Sequence, residues 1–114
     1  DLTFVSDTVS GFIAAAESSK TVGEVVNLGT GSEISIGDLV NKIANILGVE
    51  VAVETEKQRL RPPKSEVERL LSNPSKMCSL TGWSAKVSLD EGLRITADWI
   101  RENRFLYKGH IYNV

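Results

Sequence analysis

The chain has 114 residues, 41% of them apolar, so one compact domain with a hydrophobic core is the expected architecture. Its single cysteine excludes an internal disulfide, and its single histidine leaves no cluster with zinc-ligand spacing. A net charge of -2, with acids and bases intermixed, argues against nucleic acid or an anionic membrane as a partner. No apolar stretch approaches the roughly 20 residues that cross a bilayer, and no signal peptide is apparent. These features predict a cytoplasmic protein.

The first part of the chain predicts two strands with a helix between them. Residues Leu2–Val5 are β-prone, and Ser6 or Asp7 then offers an N-cap oxygen to a segment with apolar residues at helical spacing. A second short apolar run, Glu24–Leu28, ends in the sequence Gly29-Thr30-Gly31. This run is predicted as a buried strand that leads into a turn.

The middle of the chain predicts a helix, a third strand and a loop. Ser35 and Asp38 have the spacing of a capping box, and Gly48 is placed to end the helix that they start. Val49–Val53 follows as a third strand. Residues Thr55–Lys64 contain two adjacent prolines, which cannot join the interior of a regular element, so this stretch is predicted as a loop.

The last part predicts two further helices. Asn73 precedes a proline and Gly82 follows a few residues later, which indicates a short helix between them. Ser88 opens another capping box at the start of a long amphipathic helix. The closing residues, Phe105–Val114, are too apolar for a typical disordered terminus. Because strands alternate with helices, residues 1–114 are predicted as a single α/β domain with a small sheet of short strands and about four helices.

Two segments have features of phosphate binding. The turn Gly29-Thr30-Gly31 lies between a predicted strand and a predicted helix, as in a dinucleotide fingerprint. Ile34 stands where the third glycine would be, so a turn that simply requires glycine is favoured.

The densest basic cluster comprises Lys57, Arg59, Arg61 and Lys64. A guanidinium on a loop stiffened by prolines can hold a phosphate with two hydrogen bonds. The acids that offset this charge are Glu54, Glu56, Glu66 and Glu68. Both a phosphate site and an ordinary solvated loop therefore remain open.

The other conspicuous side chains are interpreted as structural. Trp83 and Trp99 follow or lie within helices, where packing is more frequent than stacking on a base. His110 has no neighbouring acid or cysteine that indicates catalysis or metal binding. Cys78 is interpreted as a small buried apolar residue. No metal site is assigned.

Five segments carry motifs in a fixed order along the chain. They are Asp1–Val9, similar to R-D-x-x-Y-V-x-D-x-V with Phe4 in place of tyrosine; Val26–Gly31, similar to Y-N-L-G-x-G; Arg61–Val67, similar to R-P-x-x-x-E/D-V; Ser75-Lys76 with Gly82-Trp83, similar to S-K-A and G-W; and Leu89–Leu93 with Thr96 and Trp99, similar to L-x-x-G-L-x-x-T-x-x-W. In this order and spacing they resemble the last third of extended short-chain dehydrogenase/reductase enzymes that act on nucleotide sugars. The finer resemblance is to nucleotide-sugar 4,6-dehydratases.

The resemblance implies a role for the basic loop. In that family the arginine of the R-P loop contacts the diphosphate of the substrate and the acid after it contacts the ribose, which implies these roles for Arg61 and Glu66. The implied ligand is a nucleotide diphosphate sugar, UDP-linked by the finer resemblance. NAD serves the parent family but belongs to an upstream Rossmann domain, so the resemblance implies a substrate-binding subdomain without a cofactor site.

The resemblance does not imply that this chain is an enzyme by itself. The family's catalytic pair is a tyrosine with a lysine four residues later, and no such pair occurs because Ile111 stands four residues after Tyr107. The chain starts without Met on an apolar run, which favours a piece of a longer enzyme that recognises the nucleotide diphosphate. A stand-alone binding module, able to pair with a Rossmann-bearing partner, and a structural remnant without a ligand are the alternatives. Without a Rossmann half an apolar face would be exposed, so self-association through that face is expected.

Overall fold

The computed structural model describes residues 1–54 and 67–107, and within them the regular elements are four α-helices and two short 3-10 turns. The helices are α1 (Val5–Glu17), α2 (Ile36–Leu47), α3 (Ser75–Thr81) and α4 (Leu89–Glu102). The 3-10 turns are Ser19–Thr21 and Arg104–Leu106. Among the described residues, no helix combines the length and the apolar character that a membrane crossing requires.

The predicted sheet, and with it the α/β fold, is wrong for the described residues, since none of the three predicted strands forms there. Val5, the last residue of Leu2–Val5, is the first residue of α1, and Glu24–Leu28 and Val49–Val53 form neither a helix nor a β-ladder. A β-prone run becomes a strand only when a neighbouring strand pairs its backbone groups. The carbonyl of Leu28 instead accepts a hydrogen bond from the hydroxyl of Ser72. The described chain is therefore helical with extended connections.

The serine N-caps predicted for α2 and α4 are confirmed. Ser35 Oγ accepts from the backbone N–H of Asp38 at 3.0 Å, and Ser88 Oγ accepts from that of Glu91 at 3.3 Å. Gly48 ends α2 with φ of 67°, a left-handed conformation that glycine adopts without strain. Local sequence signals thus set the ends of these helices.

The beginning of α1 differs from the prediction. Phe4 is the cap residue and makes no side-chain capping bond, so neither Ser6 nor Asp7 caps the helix. Asp7 lies in the first turn, and its carboxylate accepts backbone N–H groups from Lys86 and Val87 instead. The partners of this side chain are thus about 80 residues away in sequence. The Asp7 carboxylate therefore does not cap its own helix.

The helices pack as two groups, α2 against α4, and α1 against α3 and the first 3-10 turn. Met77 of α3 is fully buried, and Trp83 is 7% exposed. α1 turns its face with Asp7 and Gly11 inward. The opposite face of α1, which we call the α1 outer face, carries exposed apolar side chains at helical spacing: Val5, Val9, Phe12 and Ile13.

Candidate functional site around the Gly29–Gly31 turn

The predicted ligand contacts, Arg61 and Glu66, lie outside the described residues, as does the basic cluster Lys57–Lys64. The structure does describe the chain that follows directly, residues 67–73, which we call the post-loop segment. This segment lies outside the helices and is hydrogen-bonded to the chain around the Gly29–Gly31 turn. The turn, the post-loop segment and Asp1 make up the candidate site.

The carboxylate of Asp1 lies among backbone N–H groups of both segments. Its Oδ1 accepts from the N–H and the hydroxyl of Thr30 at 3.0 and 2.8 Å. Its Oδ2 accepts from the N–H of Gly31 at 2.9 Å and from that of Ser72 at 3.3 Å. Successive backbone amides in a turn form an anion-binding concavity. Here the anion is a side chain of the same protein, which holds the turn and the post-loop segment together.

Gly29 allows these two segments to approach each other closely. A Cβ atom at Gly29 would lie 2.3 Å from Cβ of Ser72, far inside van der Waals contact. The Ser72 hydroxyl also donates to the carbonyl of Leu28 at 2.9 Å. Gly31 has φ of 72°, which favours glycine for a second reason. These contacts agree with the interpretation of the sequence as a turn that requires glycine.

An ion pair between Arg69 and Glu33 is the second connection between the post-loop segment and the turn region. The guanidinium of Arg69 donates from Nε to Oε2 of Glu33 at 3.0 Å and from Nη2 to Oε1, which makes the contact bidentate. The hydrogen bond from Arg69 lowers the pKa of Glu33, and the same bond raises the pKa of Arg69. Both side chains are substantially exposed, so solvent screens their attraction.

A second hydrogen-bonded carboxylate, that of Asp7, connects α1 to the chain before α4. Asp7 is 4% exposed, and its Oδ2 accepts from the N–H groups of Lys86 and Val87 at 3.1 and 2.9 Å. Trp83, close to these residues in sequence, donates from Nε1 to the hydroxyl of Ser10 at 2.9 Å. The prediction that Trp83 is a structural residue agrees with this burial and this bond.

The remaining residues singled out in the sequence have varied surroundings. Cys78 is exposed, so its interpretation as a buried residue is wrong, because it lies on the solvent side of α3. Trp99 is 49% exposed and packs edge-to-face with Tyr107, with ring centroids 6.5 Å apart. His110 lies outside the described residues. Across residues 1–54 and 67–107, no group of three or more His, Cys, Asp or Glu side chains is placed to hold a metal ion.

An open depression of about 760 Å³ lies beside the Asp1 carboxylate, between α1 and the post-loop segment. The apolar side chains that line it are Phe12, Val26, Leu28, Leu70 and Leu71. Phe12 and Leu70 are 68% and 71% exposed, so this is a surface that the described residues leave largely uncovered.

Sequence reasoning missed the functions of Asp1, Asp7, Glu33 and Arg69. In the sequence, Asp1 was visible only as part of a family motif, and Asp7 only as part of that motif and as a candidate N-cap, whereas their partners lie 29 to 80 residues away. The one available signal was a carboxylate beside an apolar run, because a carboxylate that is buried there needs hydrogen-bond partners. No sequence signal pairs Glu33 with Arg69.

The family model described as GDP-mannose 4,6 dehydratase matches residues 1–96. The chain belongs to this family of NAD-dependent nucleotide-sugar epimerases and dehydratases, as the resemblance implied.

Individual relatives agree with this membership. The chain is 32% identical over 110 residues to UDP-glucuronate 4-epimerase of Thermodesulfobacterium geofontis, covering 95% of this chain and 32% of that protein. The solved epimerase Mth375 of Methanothermobacter thermautotrophicus superposes with a TM-score of 0.83 at 33% identity, over 93% of this chain and 31% of that one. The Bordetella bronchiseptica enzyme WbmF, solved with NAD+ and UDP, gives a TM-score of 0.72 at 38% identity, over 93% and 30%. The chain thus spans about a third of the length of the relatives it matches.

Proposed function

We propose that this chain is the nucleotide-sugar-binding portion of an NAD-dependent epimerase or dehydratase, in which Arg61 contacts the diphosphate and Glu66 the ribose. The observation that carries the proposal is the family match over residues 1–96, a range that includes the basic loop. The relative WbmF was solved with NAD+ and UDP, which favours a UDP-linked sugar as the substrate class. The bonds that hold the post-loop segment support the proposal, because they give the proposed binding loop one fixed end.

The proposal assigns no hydride transfer to these 114 residues. No Tyr-x-x-x-Lys pair occurs in the sequence, and a nicotinamide cofactor needs a protein environment that orients it against the sugar. We propose that NAD binding resides in the two thirds of the relatives that this chain does not span. The contribution of this chain is then recognition of the nucleotide diphosphate.

Titration calorimetry of the chain with UDP and with UDP-sugars tests this function. We expect weak binding that falls about 10- to 100-fold in Arg61→Ala, because a bidentate charged hydrogen bond to phosphate is lost. Arg94→Ala removes the same side chain from an exposed position on α4 and is the matched control. An absence of heat with every nucleotide diphosphate, or equal affinity in the two variants, contradicts the proposal.

As a second function, we propose that the α1 outer face binds another protein surface, and that a second copy of this chain occupies it when no Rossmann-bearing partner is present. Val5, Val9 and Phe12 are 66%, 52% and 68% exposed. Contiguous exposed apolar side chains of this size mark interaction sites. The run Glu24–Leu28, which forms no ladder with any described residue, offers further backbone groups near this face.

Light scattering across a range of concentrations tests self-association. We expect a mass above that of the monomer, and we expect Phe12→Glu to return the chain to the monomer because a charge on the outer face opposes apolar burial. Ile36→Glu, which changes a 75% exposed residue at the start of α2, is the control and should leave the mass unchanged. A monomeric mass for the unmodified chain at all concentrations would falsify this second function.

A further inference from the structure

The post-loop segment has little apolar packing of its own. It lies outside the helices, and Val67, Leu70 and Leu71 are 66%, 71% and 52% exposed. Burial of these side chains therefore cannot fix the position of the segment. Its position depends on polar bonds: the carbonyl of Leu70 accepts from the Asp1 ammonium at 2.8 Å, and two further residues, Arg69 and Ser72, also bond to distant parts of the chain.

Both of these residues are bonded to the same part of the molecule. Ser72 donates its N–H to Asp1 and its hydroxyl to the carbonyl of Leu28. Arg69 is held by Glu33, two residues before Ser35, the cap of α2. The post-loop segment is thus attached through Ser72 to the Asp1 carboxylate and through Arg69 to the residues just before α2.

The arrangement bears on the basic loop because Arg69 follows Glu66 by only three residues in sequence. Fixing the chain close to a ligand contact reduces the conformational freedom that binding has to remove. We propose that Arg69, through its ion pair with Glu33, is a positioning residue for the diphosphate-binding loop. This inference rests on the proposed function of Arg61 and Glu66.

The geometry favours positioning over direct contact with a phosphate. Arg69 already directs Nε and Nη2 at the two oxygens of Glu33, which is the bidentate arrangement that it would otherwise offer to a phosphate. The carboxylate also offsets the charge of the guanidinium. Recruitment of Arg69 by a ligand would require this pair to break, whereas positioning uses the pair as it stands.

A charge exchange tests the inference. Arg69→Glu, Glu33→Arg and the double variant are each titrated with UDP in the full chain. In each single variant we expect about a 3- to 10-fold loss of affinity, because binding must then also fix the position of the post-loop segment. In the double variant we expect the affinity to return to within about twofold, because the pair is restored with its signs reversed. The control exchange, Lys42→Glu with Asp90→Lys, reverses an exposed ion pair between α2 and α4 and should leave UDP affinity unchanged in all three forms.

The outcomes separate positioning from direct contact and from a failure of the proposed function. An unchanged affinity in Arg69→Glu overturns the inference. A double variant that binds as weakly as Arg69→Glu also overturns it and assigns Arg69 to ligand contact. If the unmodified chain gives no heat with UDP, the proposed function fails, and amide hydrogen exchange then tests the attachment by itself. Faster exchange at residues 67–72 in Arg69→Glu, reversed in the double variant, supports the attachment, and unchanged exchange refutes it.

Discussion

The two helix groups of this chain are held together by different means. In the first group, hydrogen bonds of two buried side chains connect α1 to distant parts of the chain. Asp7 accepts from the N–H groups before α4, and Trp83 donates to Ser10. In the second group, α2 packs against α4, apolar side chains of both helices line the groove between them, and each helix begins at a serine N-cap. The one ion pair between described residues of these two helices, Lys42 with Asp90, is exposed.

This difference predicts how each group responds to a single substitution. A buried hydrogen-bonded carboxylate concentrates stability at one residue, because its loss leaves several backbone donors without partners. Apolar packing and capping distribute stability over many residues, each contributing little. The first group should therefore contain the most damaging single substitutions, and the second should tolerate comparable changes.

The largest effect is expected for Asp7→Ala. The substitution removes the buried carboxylate that the N–H groups of Lys86 and Val87 share as their acceptor, and we expect a loss of about 3 kcal/mol in the free energy of unfolding, measured by urea denaturation. Asp38→Ala is the matched control, since Asp38 holds the same first-turn position in α2 but is exposed. Its loss should be about 0.5 kcal/mol, the value of a first-turn acid. Equal losses in the two variants would remove the distinction between the groups.

A pair of glycine substitutions should give effects of opposite sign. In α1, a Cβ atom at Gly11 would lie 2.7 Å from both terminal carbons of Leu28 and 3.2 Å from the Trp83 ring. We expect Gly11→Ala to destabilise the chain by about 1–2 kcal/mol through overpacking. In α2, Gly37 has only Ser35 Oγ near its Cβ position, at 3.9 Å, so Gly37→Ala should stabilise by about 0.5 kcal/mol through helix propensity. Thermal unfolding of both variants measures the signs, and a stabilising Gly11→Ala would show that α1 packs loosely.

The same contrast explains what could be predicted from the sequence. The ends of α2 and the start of α4 depend on residues three positions apart, and Ser35, Gly48 and Ser88 were predicted correctly. Asp7 was predicted as a candidate cap, which is wrong, because its partners lie 79 and 80 residues away and no local pattern reveals them.

The prediction of three strands is wrong for a related reason. β-propensity reports that a residue fits a paired, half-buried surface, but it does not supply the neighbouring strand. Glu24–Leu28 lies outside the helices, and it lacks a ladder within the described residues. The predicted contacts of Arg61 and Glu66 remain predictions, because family resemblance supplied them and the described residues do not include them.

A smaller effect is expected for the loss of a cap in the second group. Ser88→Ala removes the hydroxyl that accepts from the Glu91 N–H at the start of α4, and we expect a loss of about 1 kcal/mol in unfolding free energy. Ser79→Ala, an exposed serine inside α3, is the control and should change stability by about 0.5 kcal/mol or less. A loss in Ser88→Ala as large as that in Asp7→Ala would mean that α4 depends on a single residue after all.

The smallest effect concerns the ion pair of the second group and is visible as a pH dependence. The hydrogen bond from Lys42 lowers the pKa of Asp90, so the folded chain favours the deprotonated carboxylate. Because the folded-state pKa lies below the unfolded one, the contribution of the ion pair to stability is present above the ordinary value of about 3.9 and is lost as the pH falls through the lowered pKa.

In Lys42→Met, an NMR titration should show the pKa of Asp90 moving back up. Since the pair is exposed, high salt should produce part of the same rise in the unmodified chain. A pKa that stays low in Lys42→Met would mean that another group, such as Arg94 nearby on α4, holds the Asp90 charge, and the two helices would then be joined by apolar contacts alone.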